Sequence, residues 1–227
     1  MVAQETTGYP LDTTRLPAGN SAKLQSMRGR GGMIGDMLHR AGVELGLRLN
    51  GSFYYPSEDR SILECLIIPY FQLSPAHTSI LSVGTDWYTQ GYGRMFGRKQ
   101  YSTIDADPAA ARYGGAHHVV GPMQTLGRHF RPVSLDLILC NGVVGWGLDR
   151  AEDADAAFAA AFESLRPGGH LIVGWNDLEQ HRPFRLGALA SVARFEPWVF
   201  PPLAASQHLV DNAWRHVFSF YVKPQGA

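Results

Sequence analysis

The sequence predicts an α/β fold, a mostly parallel sheet with helices on both faces, on three observations. After Pro75, short apolar runs alternate with helical segments, the pattern of a parallel sheet covered on both sides. The first run, Ile80 to Val83, ends on one glycine, Gly84, and the second ends on an acid, Asp105, about 20 positions later. The chain closes on "RHVFSFYVKP", where Val217, Phe218, Phe220 and Val222 are too apolar for a free tail. With 227 residues, 45% of them hydrophobic, there is material for one sizeable core and too little for two.

Taken in order, residues 1–22 are polar and rich in Thr, Gly and Pro, and read as a flexible arm. The basic "KLQSMRGRGG" after it reads as a solvated linker. From Met33 to Leu49, apolar residues recur at helical spacing, with Asn50-Gly51 as the stop. "PSEDRSILECLIIPYF" reads as a second helix, with Ser57 as N-cap, acids in its first turn and Pro69 near its end. These helices form a preface over 23–76 that is expected to act as a lid, ahead of an α/β domain over 77–227.

Within that domain the strands are Ile80 to Val83, "QYSTID", "HHVV", "LDLILCN" and "GHLIVGW". Between the last two, "DADAAFAAAFESLRPGG" is helical, with Phe158, Ala161, Phe162 and Leu165 as its buried stripe and Pro167-Gly168-Gly169 as its end. "SQHLVDNAWRHVFSFYVKP" reads as two strands joined by a short turn.

Charge and motifs narrow the chemistry. Twenty basic residues balance 20 acidic ones at a pI of about 7.1, which removes any general attraction to nucleic acid or anionic lipid. Cys65 and Cys140 sit far apart in apolar surroundings and suit buried, reduced thiols better than a disulfide framework. The first residues lack a basic head followed by an apolar run, and nowhere do about 18 apolar residues follow one another. A soluble, cytoplasmic protein without a membrane partner is expected. No CxxC or HExxH suggests a metal, and no GxSxG marks a hydrolase.

In an open parallel sheet, ligands collect beyond the carboxyl ends of the strands. Those tips offer Gly84, Thr85, Asp86, Trp87 and Tyr88, then Asp105 and Asp107, then Asn141 and Gly142, then Trp175, Asn176 and Asp177. The spacing from Gly84 lets the Asp105 carboxylate accept from both ribose hydroxyls of a nucleotide over the first strand, whereas Asp107 suits a helix cap. Trp146, Trp175, Tyr92 and Phe96 add aromatic surface, suited to an apolar or planar small substrate or a cationic amine. Among the histidines, His117 and His118 face opposite sides of a strand, and His181 would meet Asp177 if that segment were helical.

"ILSVG", "STIDADP", "SLDLILCNGVVGWGLD" and "SLRPGGHLIVGWND" resemble the successive motifs of class I S-adenosylmethionine-dependent methyltransferases, and "RHVFSFYVKP" is similar to their antiparallel last strand. The resemblance runs over residues 78–224. It implies a Rossmann-like, seven-stranded sheet whose first turn, Gly84, Thr85, Asp86 and Tyr88, holds the methionine end of the cofactor, with Asp105 on its ribose. Met123 falls beside the adenine ring, or else simply fills core. Asn141 and Trp146, in "CNGVVGW", fall where the family lines the reacting methyl group, and His181 is the accompanying candidate base. A small-molecule acceptor is implied, with "FEPWVFPPL" as a pocket wall or a contact between copies of the chain.

The first turn departs from the family's glycine-rich pattern. Ser82 stands where an acid is usual, and Asp86 and Tyr88 replace the second and third glycines. Asp86 would then pair with the cofactor's amino group while Trp87 or Tyr88 lies against its sulfonium, worth roughly 0.5–2 kcal/mol. Two other readings use the same residues: a non-catalytic, methyltransferase-like subunit, and a nicotinamide-dependent oxidoreductase.

Overall fold

The structure, a computed structural model, describes residues 57–226. All belong to one compact unit spanning Val43–Ala227. The arm expected over 1–22 and the helix expected over 33–49 lie outside the described residues.

Ser57 is extended and its hydroxyl accepts the Arg60 N–H, so the helix begins where its cap and acids place it, as α1 (Glu58–Ile62). It widens into a π-turn at Leu63–Ile67, where the Ile68 N–H reaches back to the Leu63 carbonyl, and continues as α2 (Ile68–Leu73). The wide turn absorbs Pro69, which has no N–H to donate, so the helix runs on past the proline.

Eight strands form one sheet: β1 (Ser79–Val83), β2 (Gln100–Asp105), β3 (His117–Val120), β4 (Leu135–Asn141), β5 (Leu165–Asn176), β6 (Glu196–Pro197), β7 (Gln207–Leu209) and β8 (His216–Val222). Their order is β3-β2-β1-β4-β5-β8-β6, with β7 also paired to β8. β1 to β5 are parallel; β8 runs antiparallel to β5, and β6 and β7 antiparallel to β8. The short β6 is the strand added to the expected seven.

The sheet is buried on both sides, which is why β4 reads as a continuous apolar run. Ile138 and Cys140 face one core, with Phe158 and Phe162 of α4 (Ala151–Ser164), the helix that follows the short α3 (Tyr92–Met95). Leu137 and Leu139 face the other, with Leu63, Ile67, Ile68 and Phe71. The helix expected to help close the pocket therefore covers a sheet face. Cys140 is buried, but Cys65 is exposed, contrary to expectation, because Leu63 and Ile67 take the inward positions of the π-turn.

The end of α4 also differs from expectation. The helix stops at Ser164, Leu165 is extended and pairs with Leu135, and Pro167–Gly169 belongs to β5. Pro167 has no N–H to offer the Glu163 carbonyl, and tertiary donors take over: the Val133 and Ser134 N–H groups reach the carbonyls of Glu163 and Ser164.

A polar bolt closes the amino ends of the central strands. Asp136, 6% exposed, accepts from the Thr78 and Ser79 N–H groups at 2.6 and 2.8 Å and pairs with Arg166, whose Nη2 reaches the Ala76 carbonyl. Nearby, His77 Nε2 meets His170 Nδ1 at 2.9 Å, with the Ser74 hydroxyl on the other His77 nitrogen. Burial lowers both histidines, His170 down to about 3. The unfolded chain takes up these protons near pH 6.5 and the folded chain does not, so their stabilisation is complete above that pH and falls as pH drops towards 3. Between about pH 7 and about pH 5, His170 alone is expected to cost about 2 kcal/mol, read as a lower urea midpoint. An unchanged midpoint would contradict it.

Candidate active site

A cavity of about 360 Å³ opens at the carboxyl ends of β1, β2 and β4, within the range of small-ligand sites. Gly84, Thr85, Asp86, Tyr88, Asp105, Met123, Asn141 and Trp146 all line it. His181 does not. It lies in a short 3₁₀ turn, Glu179–His181, not an α-helix, and its ring stacks on Trp146 at 4.1 Å and 15°. Asp177 is instead engaged by Arg182 and Arg215, so the expected pairing with His181 is absent.

Gly84 is required here for two reasons. Its φ is +83°, and a Cβ would stand 2.8 Å from Val143 Cγ2, in the loop that forms the opposite wall. The next residues need no glycine because side chains hold the turn. The Thr89 hydroxyl accepts from the Asp86 N–H and donates to the Asp86 carbonyl, and Gln90 Nε2 donates to the Trp87 carbonyl at 2.7 Å. From α1, the buried Arg60 donates to the Tyr88 carbonyl at 2.9 Å and lies 4.6 Å over the Tyr88 ring. Arg60 is itself held by Glu64, whose carboxyl burial pushes up while Arg60 opposes the shift. Asp86 and Tyr88 thus reach the cavity, while Trp87 packs edge-on against Tyr88 without lining it.

Asp105 sits at the tip of β2, half-buried. Its Oδ2 accepts from the Thr85 N–H at 2.6 Å and its Oδ1 from the Asp107 N–H at 2.8 Å. The Thr85 hydroxyl stands 3.3 Å from Oδ2 and 3.2 Å from the Ala110 carbonyl; with its one hydrogen on Ala110, each carboxylate oxygen retains a lone pair and can take a hydroxyl while pinning both turns. Asp107 caps the 3₁₀ segment Pro108–Tyr113 by accepting from Ala109, as its position suggested. Met123 belongs to the core and to the cavity wall at once.

Across the cavity, Asn141 Oδ1 lies 3.1 Å from His216 Nε2, and Trp146 Nε1 donates to Asn176 Oδ1 at 3.2 Å. Burial lowers the His216 pKa, so this ring is neutral near pH 7. Asn176 was offered only as a strand tip, and Arg60 was not singled out. The Arg60–Glu64 spacing was visible in the sequence; His216 comes to Asn141 only through the antiparallel pairing of β8 with β5. Trp175, Tyr92 and Phe96 were expected at the mouth but do not line the cavity. Tyr92 and Phe96 are core, and Trp175 donates to the Ser219 hydroxyl.

Beneath Asn141 lies Gly174, where a Cβ would collide with Asn141 Oδ1, stand 2.7 Å from Asn141 Cγ and come within 2.8 Å of His216 Nε2. Gly174→Ala is therefore expected to cost about 1–3 kcal/mol and to swing the Asn141 amide away from His216. Thermal unfolding, with the His216 ring nitrogen shifts by NMR, checks both effects. Among the described residues no group of His, Cys, Asp or Glu is arranged to hold a metal, and no helix is long and apolar enough to cross a membrane.

Residues 81–173 match the family of methyltransferase domains. Among solved structures, the chain is similar to a TehB-like S-adenosylmethionine-dependent methyltransferase from Corynebacterium glutamicum, with 18% identity, a TM-score of 0.52 and 82% of this chain and 96% of that one covered. It is also similar to the N-methyltransferase NodS from Bradyrhizobium japonicum, solved with S-adenosylhomocysteine, with 15% identity, a TM-score of 0.56 and 82% and 98% covered. No curated protein is significantly similar in sequence. With the strand order and the antiparallel β8, these matches show that residues 81–173 are similar to a methyltransferase domain and that the chain has the fold of S-adenosylmethionine-dependent methyltransferases.

Proposed function

We propose that the protein is a cytoplasmic enzyme that holds S-adenosylmethionine in this cavity and methylates a small-molecule acceptor. The observation that carries the reading is Asp105, a carboxylate with unused lone pairs on the wall of a nucleoside-sized cavity. Gly84, Thr85, Asp86 and Tyr88 take the amino-acid end, where Asp86 adds a second negative charge suited to an ammonium and a sulfonium. Met123 lies against the base. When bound, the cofactor supplies a methyl group on a sulfonium; the protein's work is to align the acceptor with it and to exclude water. Asn141 and Trp146 form that wall, each oriented by a partner behind it, His216 and Asn176.

Isothermal titration with S-adenosylhomocysteine tests this, and no heat at about millimolar ligand would overturn it. A second reading, a non-catalytic subunit, is favoured by the side chains at the second and third glycine positions, and predicts no thermal shift with the same ligand.

A further inference from the structure

The loop after β4 and the turn before β8 bring three rings together beside the cavity. Trp146, 52% exposed, carries His181 stacked on it, and Trp214, 48% exposed, lies 6.1 Å from Trp146 and 6.0 Å from His181. The ledge is rigidly held, because Asn176 accepts from the Trp146 indole and donates to the Trp214 carbonyl at 2.9 Å. Two half-exposed tryptophans side by side, one of them on the cavity wall, form a surface suited to a flat ring.

Charge narrows what that ring carries. Arg182 follows His181 and Arg215 follows Trp214, and both guanidiniums share the carboxylate of Asp177, at 2.6 and 3.2 Å. Glu179 and Asp211, the other acids of these segments, pair with neither. One carboxylate against two half-exposed guanidiniums leaves positive charge beside the rings. Arg215 is moreover held at a φ of +44°, a strained conformation for a residue with a side chain.

We propose that this ledge is the acceptor subsite and that it takes a flat aromatic ring bearing a carboxylate or phosphate, the ring against Trp146 and Trp214 and the anion towards Arg182 and Arg215. The inference rests on the methyltransferase reading and narrows it, since the same guanidiniums repel a cationic amine. The test titrates 2-naphthoate, 2-naphthyl phosphate, 2-naphthylmethylammonium and cyclohexanecarboxylate into the protein, followed by tryptophan fluorescence, with and without S-adenosylhomocysteine. At least one naphthyl anion is expected to bind about tenfold or more tighter than the ammonium and the cyclohexyl probe, and the better anion identifies the group. Trp214→Ala should weaken it about tenfold, with Trp214→Phe restoring most of the loss. Arg182→Gln combined with Arg215→Asn, whose asparagine tolerates the left-handed backbone, should remove the preference for the anion. Equal affinity for all four probes, tighter ammonium binding, or variants that bind unchanged while thermal unfolding shows them folded would overturn the proposal. Binding of a naphthyl anion without binding of S-adenosylhomocysteine would sink the cofactor reading and leave the ledge standing.

Discussion

Asp105→Ala is expected to weaken S-adenosylhomocysteine binding by about a hundredfold or more, the loss of two charge-assisted hydrogen bonds at about 1.5–3 kcal/mol each. The residue also pins the Thr85 and Asp107 N–H groups, so the substitution should lower stability by about 1 kcal/mol as well. That second effect separates from the first because both turns lie near solvent, where water replaces the lost acceptor. Asp105→Asn is the cleaner probe: it keeps one carbonyl oxygen and the side chain's size but removes the charge, and its loss should be intermediate. Calorimetry reads the affinity and thermal unfolding the stability. If both variants bind like the parent, the ribose is held elsewhere.

Asp136→Ala is expected to destabilise the fold by about 3 kcal/mol or more, the largest stability effect of any single change considered. Its carboxylate accepts from two backbone N–H groups and the Thr78 hydroxyl and pairs with Arg166, and those hydrogen bonds hold its pKa below the usual range against the opposing effect of burial. Removing it leaves N–H groups at the start of β1 without an acceptor in a site too closed for water to serve all of them. Arg166 is 36% exposed and can turn to solvent, so the loss falls mainly on the β1 donors. Urea unfolding near pH 7 measures it. Since this carboxyl is depressed, its contribution is present above its ordinary pKa and fades only below about pH 4, under the window in which the buried histidines act. A parent-like midpoint would mean that Arg166 and Thr78 repair the site.

Much of this protein was legible in one dimension. β2, β3 and β4 have the bounds their hydrophobic runs suggested, and Ser57 caps the helix it was expected to cap. Such features depend on residues close in sequence: a side chain bonding a few positions on, or an apolar run long enough for one strand. The spacing of Gly84 and Asp105 was equally readable, because adjacent parallel strands joined by one crossover keep their tips at a nearly constant separation. Eight of the nine residues expected in the site meet at one cavity.

What failed depended on partners far along the chain. "LRPGG" follows the end of α4, but its pairing into β5 and the donors from residues 133 and 134 could not be read locally. Trp175, Tyr92 and Phe96 looked like mouth aromatics, but the twist and layering of the sheet turn them elsewhere. His216, Trp214 and Arg215 carried no local signal, because only the antiparallel return of β8 along β5 sets them beside Asn141, Asn176 and Asp177. By itself the sequence determined most of the strands, the Ser57 cap and the acid at the tip of β2, since each is settled by neighbours within one or two elements. The tertiary structure alone decided how an eroded turn is held open, through Arg60, and which rings and charges stand beside the cavity, since those contacts join segments that approach only after the sheet has closed.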